Sequence, residues 1–465
     1  MNLNQTLQEK YPHLEVSVFS YSKVKKHLIL GSEFNSNTRE NAIQSIISNK
    51  NVNDYFELIN TNVSTLKEFV YIYDLTHSLG NFMIDVEPTQ EIGSSKKQAI
   101  KGDFVISRLR SYLKEMAVIQ PKNFKQLLST EYLVYRPKTN LLSSNTLLAF
   151  SLSRIVQTIL NYSQYGTEHP RFYEFVFNEM PIPKCLLLMN AEIDSIINKA
   201  YETLEESKEL YKKAEEILYN ELGLDPKTPL QSLLNSKTNN STNSPNISIR
   251  TLKESFLKTG RLDSEYYQSK YEDIENFIKS YSNGYDSFLN IINNKDTNFT
   301  PKNNENYNYI ELANIGNNGN INEPISDLGK NLPTRARRIV SNGDVIISSI
   351  EGSLSSCALI TKEFDKHLVS TGFFVLNSKL LNSETLLVMF KSQIFQEYLK
   401  KFPSGTILCA INKEELSKIF IPKIDPTTQE KIAKYIQESF NLRKKSKQLL
   451  DNAKIKVEEQ IQGKV

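Results

Sequence analysis

A chain of 465 residues, 39% hydrophobic and 23% charged, has room for two to four domains with sizeable cores and the composition of an ordered globular protein. Its formal net charge of +3 excludes an overall basic coat, so any nucleic-acid affinity has to come from local clusters of Lys and Arg. No apolar run approaches the roughly 18 residues that cross a bilayer, "MNLNQTLQEKYPHLEV" lacks a secretory pattern, and the scattered Cys185, Cys357 and Cys409 suit a reduced, cytoplasmic protein with no membrane partner.

Taken in chain order, the predicted elements appear twice. "LGSEF" at 30–34 returns as "LDSEY" at 262–266, and "GDFVIS" at 102–107 returns as "GDVIIS" at 343–348. Each of the latter reads as a tight Gly-Asp turn feeding a strand that is buried on both faces. At the same offset of 241, "AVI" at 117–119 meets "ALI" at 358–360, and "STEYLV" at 129–134 meets "STGFFV" at 370–375. The offset then becomes 239: "LLSSNTLL" at 141–148 falls on "LLNSETLL" at 380–387, Gly166-Thr167 on Gly405-Thr406, and "IPK" at 182–184 on "IPK" at 421–423. The order is collinear with small gaps, the signature of a tandem duplication. The stretch 384–402 has the period of one amphipathic helix, and 291–308 reads as a long surface loop.

Two proline-poor, glycine-poor stretches follow the repeated units and predict long helices, about Glu192–Leu222 and about Gln429–Ile461. At about 1.5 Å per residue each runs roughly 45 Å. In heptads, one column of the first is Ile193, Ala200, Ser207 and Ala214, and the same column of the second is Ile432, Ser439, Ser446 and Ala453. Small residues at seven-residue spacing let two helix backbones approach closely, so these eight residues are the expected pairing seam. The competing reading is that each helix packs only on its own unit. The expected fold is α+β: two similar tandem units of strands and helices, separated by two long antiparallel helices that form a coiled-coil rod. The expected boundaries are 1–185 for the first unit, 186–224 for the central helix, 225–248 for a polar linker, 249–425 for the second unit and 426–465 for the C-terminal helix.

Catalytic signatures are missing from the sequence. "GNNGN" at 316–320 lacks the Lys and frame of a phosphate loop. His13, His27, His77, His169 and His367 are dispersed, and no Ser elbow or methyltransferase tetrapeptide occurs. Glu206-Ser207-Lys208 lies in mid-helix, as an ion-pair face would. A binding role is favoured.

The residues "GDVIISSIEG", "STGFFVLNSK", "GRLDSEYYQSKYEDI" at 260–274 and "IFIPKIDPTTQEKIAKYIQ" followed by "SKQLLDNAKIKVEEQI" resemble the specificity subunits of type I restriction-modification systems, in both halves of the chain. That resemblance implies two target-recognition domains, each reading half of a split DNA sequence, with the helices as a ruler for the unread spacer. It implies duplex DNA as one partner and two methylation subunits, docked through the helices, as the others, with restriction subunits as a further addition. The chain itself carries no catalysis and no cofactor. S-adenosylmethionine belongs to the methylation subunits, and ATP and Mg to the restriction subunits. One turn of B-DNA is about 34 Å, which fits readers set along such a rod. A duplicated scaffold that never reads DNA and an enzyme with an unrecognised site are the alternatives.

On this reading the candidate DNA contacts are basic or polar residues beside the repeated strands. Arg108 and Arg110 follow the first of these strands, and alternation would place both on one side. They suit guanine or phosphate contact, or else a surface ion pair. Thr167, His169 and Arg171 lie on the "GTEHPR" loop, whose counterpart keeps only Gly-Thr with Thr406. Arg335, Arg337 and Arg338 form "RARR" before the second turn, where the first unit has Lys96 and Lys97. These suit phosphate contact or a solvated face. The run Arg443, Lys444, Lys445 and Lys447 reads first as a solvated helix face. No metal site is expected.

Overall fold

The computed structural model describes residues 3–463 apart from 15, 17, 236–248 and 406. Most of the expected linker and the candidate Thr406 therefore lie outside the described residues. The fold is α+β. Two compact units divide the chain: one runs to Leu204 and adds the segment from Lys444 onward, and the other is Glu205–Arg443.

In the first unit, Gly102 takes φ +88 and the Asp103 carboxylate accepts the Ile100 amide at 2.9 Å, closing the turn before the strand Phe104–Ser107. This strand is central in an antiparallel sheet ordered Phe56–Ile59, Tyr132–Pro137, Phe104–Ser107, Met116–Val118. Phe104 and Ile106 face the main core, and Val105 faces a second cluster with Ala117 and Val134. Burial on both sides explains why the strand reads as an unbroken apolar run. A second sheet is ordered Asn62–Val63, Lys96–Ala99, Lys125–Leu128, Val70–Tyr73, with the last pair parallel. The helices Ser144–Ser151 and Arg154–Asn161 start at Ser143 and Ser153, whose hydroxyls accept the Thr146 and Val156 amides. Ser144 Oγ reaches back to the Gly102 carbonyl at 2.5 Å and ties helix to turn. The first long helix, Lys184–Glu221, brings Ile193, Ile197 and Tyr201 into the main core with Leu450, Ala453 and Val457 of the second, Pro426–Ile461. Ser446 Oγ donates to the Ala200 carbonyl at 2.7 Å, and Lys456 pairs with Glu192 at 2.7 Å, so these segments run antiparallel.

The second unit repeats the inner sheet and its Gly-Asp turn. Its sheet runs Ile292–Asn294, Phe373–Ser378, Val345–Ser348, Cys357–Leu359. Gly343 takes φ +87, Asp344 accepts the Ser341 amide at 2.8 Å, and Ser383 Oγ donates to the Gly343 carbonyl at 2.5 Å. The buried aspartates keep their place but change partners. Asp103 is 1% exposed and bonded twice by Arg136, at 2.8 and 2.9 Å, whereas Asp344 takes Lys295 at 2.8 Å and Asn377, the Arg136 counterpart, at 3.2 Å. Here Tyr211, Ala214 and Leu218 share the core with Ile432 and Ile436. Ser439 Oγ donates to the Ser207 carbonyl at 2.7 Å, and Thr428 Oγ1 to Glu221 at 2.7 Å, again antiparallel.

Two local expectations change. The stretch 384–402 is two helices, Ser383–Lys391 and Gln393–Leu399, because Ser392 leaves helical geometry (ψ 148) and its hydroxyl caps the Phe395 amide. The loop at 291–308 holds the strand Ile292–Asn294 and the start of Asn306–Ile310. The outer sheets also differ. Both share a central strand (Lys125–Leu128 or Leu368–Ser370) with one antiparallel and one parallel neighbour. The fourth strand joins the antiparallel neighbour in the first unit, as Asn62–Val63, and the parallel one in the second, as Ile325–Leu328.

Candidate nucleic-acid interface

In the first unit the strand ends at Ser107, and the chain from 108 to 110 pairs with 170 to 172. Arg110 N donates to the Pro170 carbonyl at 2.8 Å and Phe172 N to the Arg108 carbonyl at 3.0 Å, with Leu109 bridged to Arg171. Arg110 then turns left-handed, φ 48, so simple strand alternation does not describe the two arginines. The backbone pairing instead gathers Arg108, Arg110, His169 and Arg171. Arg108 Nε lies 3.0 Å from Glu131 Oε2, and Arg171 Nη2 lies 2.8 Å from Oε1 of the same carboxylate. Arg171 Nη1 donates to the His169 carbonyl at 3.1 Å, and Arg110 Nη2 donates to His169 Nδ1 at 3.0 Å. Thr167 is exposed in the loop between Gly166 and His169.

The hydrogen bond from Arg171, opposed by partial burial, holds the Glu131 carboxyl below the usual glutamate range, and the same bond raises Arg171. Behind them, burial pushes the Glu115 carboxyl up. All three guanidinium nitrogens of Arg171 are bonded, Nε and Nη2 to Glu131 and Nη1 to the His169 carbonyl. Among the described residues Arg108 uses only Nε and Arg110 only Nη2, which leaves each with guanidinium donors for a ligand. A planar fork held this way suits a guanine edge or a phosphate.

The second unit builds the same backbone pairing without the arginines. Glu351 N donates to the Cys409 carbonyl at 3.0 Å and Ile411 N to the Ser349 carbonyl at 2.8 Å. The Arg108–Glu131–Arg171 group is replaced by Ser349, Gly372 and Ala410, and Ile407 and Leu408 stand 94% and 71% exposed. Glu131 is the residue that charge counting misses. Its signal is that three positions differ together between halves that otherwise align.

Two sequence candidates hold backbone carbonyls of their own unit. Lys97 is 8% exposed, and its Nζ donates to the Tyr132 carbonyl at 2.8 Å. Arg338, at the equivalent position, donates through Nη1 to the carbonyl of Phe373, the counterpart of Tyr132. Burial lowers the pKa of both. Each satisfies a backbone carbonyl of the framework; Lys97 is buried on it, whereas Arg338 is half-buried and keeps further guanidinium donors. On the same strands Lys96 Nζ bonds Ser94 Oγ at 2.7 Å, Arg337 bonds the Thr334 carbonyl at 3.0 Å and Thr300 Oγ1 at 3.2 Å, and Arg335 is exposed. The eight seam residues are all buried, at 0 to 1% exposure. Among the described residues no acidic, His or Cys group could hold a metal ion, and no helix is long and apolar enough to cross a membrane.

No family model matches the sequence. The type I restriction enzyme HindI specificity subunit of Haemophilus influenzae is 30% identical over 159 residues, a match that spans 33% of this chain and 33% of that protein. Among solved structures, the type-I restriction-modification system S subunit from M. genitalium is similar over 90% of this chain and 96% of its own, at 11% identity and a TM-score of 0.39. The HsdS subunit from Thermoanaerobacter tengcongensis is similar over 90% and 96%, at 14% identity and a TM-score of 0.27. By sequence, the chain is similar over about a third of its length to a type I restriction enzyme specificity subunit, and it spans about a third of that relative's length in the match.

Proposed function

We propose that this chain is a DNA-specificity subunit without catalysis of its own. In this reading the two units at 1–185 and 249–425 are target-recognition domains, each reading one half of a bipartite duplex site, and the helices at 186–224 and 426–465 join them and dock methylation subunits. The polar segment 225–248 connects the halves.

One observation carries the reading. The halves keep the Gly-Asp turn and differ at the half-buried group where the first unit holds Arg108, Glu131 and Arg171 and the second Ser349, Gly372 and Ala410. A duplicated frame with two unlike faces is what an asymmetric two-part target requires. Arg108 and Arg110 are the proposed contacts of the first unit, with Arg171 and Glu131 positioning them. Arg335, Arg337 and Lys96 are proposed phosphate contacts.

Fluorescence anisotropy of a mixed-sequence 40-base-pair duplex with the full chain tests this. The expected result is binding whose log K falls linearly with log[salt], with a slope of about −0.9 per phosphate contact. Absence of salt-dependent binding would mean a protein scaffold rather than a DNA reader.

A further inference from the structure

The first unit carries a cationic cleft beside the candidate interface, and the second unit has other residues at the equivalent positions. The cleft has a volume of about 390 Å³, and its charged walls are Lys114, Arg154, Lys454 and Glu458, with Tyr112 at one side. Lys114 ends the short turn Ser111–Leu113, whose other end is Arg110. Lys114 and Arg110 both hold left-handed φ, 53 and 48, so two basic non-glycine residues bracket one strained turn. Arg154 begins the helix Arg154–Asn161, and its backbone amide is bonded by Glu458 Oε1 at 2.6 Å. One oxygen of the only acidic group on the cleft wall is therefore engaged by the backbone. Among the described residues, the side chains of Lys114, Arg154 and Lys454 enter no ion pair.

The duplication supplies the comparison. Lys114, Arg154, Lys454 and Glu458 correspond to Ser355, Gln393, Glu215 and Tyr219. The backbone contact is kept, since Gln393 N donates to Tyr219 Oη at 2.9 Å. The three corresponding cations are absent, and a single lysine, Lys391, donates through Nζ to the Ser355 carbonyl at 3.0 Å. Burial there pushes the Glu215 carboxyl up to about 7. Three unpaired cations around an open cleft are thus a property of one half only, and the helical frame does not require them.

We propose that this cleft is a phosphodiester clamp for duplex DNA: Lys114, Arg154 and Lys454 hold the backbone of the strand whose bases face Arg108 and Arg110. The inference rests on the DNA-reading proposal above and adds an asymmetry to it. The first unit grips the backbone through a residue of the C-terminal helix, and the second unit has no equivalent grip. Lys114 and Arg110 share one turn, so a duplex seated on one is presented to the other.

The test uses the full chain and two unrelated mixed-sequence duplexes. The triple variant Lys114→Asn, Arg154→Gln, Lys454→Gln keeps a residue tolerant of left-handed φ at 114. Its log K against log[salt] should be shallower than wild type by about 3, about 1 per residue, with equal weakening on both duplexes. Ser355→Ala with Gln393→Ala in the second unit should leave the slope unchanged. An unchanged slope in the triple variant overturns the clamp, as does weakening on one duplex alone. Loss of a co-purifying protein with duplex binding intact also overturns it, and assigns the cleft to an acidic protein segment. Wild-type chain without salt-dependent binding sinks the DNA reading itself, an outcome seen before any variant is made.

Discussion

Asp103→Ala and Asp344→Ala should each destabilise their own unit by about 3 kcal/mol, the lower end of the range for breaking a buried ion pair. The lower end applies because the Arg136 and Lys295 side chains are 35% and 37% exposed and recover water when the carboxylate is removed. What they do not recover is the turn: the Ile100 or Ser341 amide loses its acceptor at 2.9 or 2.8 Å. The isosteric Asp→Asn changes keep an oxygen for that amide and should cost about half as much. Hydrogen exchange, which reports opening of each unit separately, measures both. Equal costs in the two units, despite unlike cation partners, follow if the Gly-Asp turn is the repeated structural requirement. A cost near zero in one unit would make its second occurrence incidental.

Ser439→Leu should be more damaging than Ser439→Ala by a wide margin. Ser439 is fully buried, with its hydroxyl 2.7 Å from the Ser207 carbonyl and 3.2 Å from the Ser207 hydroxyl. Alanine forfeits both contacts of the hydroxyl, about 1 kcal/mol for each. Leucine loses the same contacts and in addition has to push the helix segments apart, at about 1–3 kcal/mol for overpacking. Urea denaturation of the two variants distinguishes a close-packed seam from a helix that packs loosely, for which leucine would be tolerated or stabilising.

The framework was legible because it is written twice. A Gly that must take positive φ, an Asp that must cap the turn and a small residue in each heptad are constraints on residue type, so they persist in both copies and emerge from alignment of the chain with itself. Side-chain destinations are not written that way. Lys97 and Arg338 look like surface charges, yet each ends on a backbone carbonyl, an acceptor that leaves no trace in the sequence. The break at Ser392 was hidden because apolar periodicity continues through it, while a single serine hydroxyl decides where the second helix begins. The outer strand changes edge because short strands such as Asn62–Val63 carry too little pattern to fix a partner. Glu131 was visible only as a mismatch, in "STEYLV" against "STGFFV", and became meaningful once Arg108 and Arg171 were found around it.

The central claim is that two kindred units with unlike faces read two unlike half-sites. Methylome sequencing of the source cell with and without this gene addresses it most directly. The account predicts an adenine-methylated motif of two different short parts around an unread spacer, lost when the gene is deleted. With Arg108→Ala and Arg110→Ala together, the first part should relax while the second is kept. A methylome indifferent to the deletion, or a motif that is one contiguous block, would contradict it.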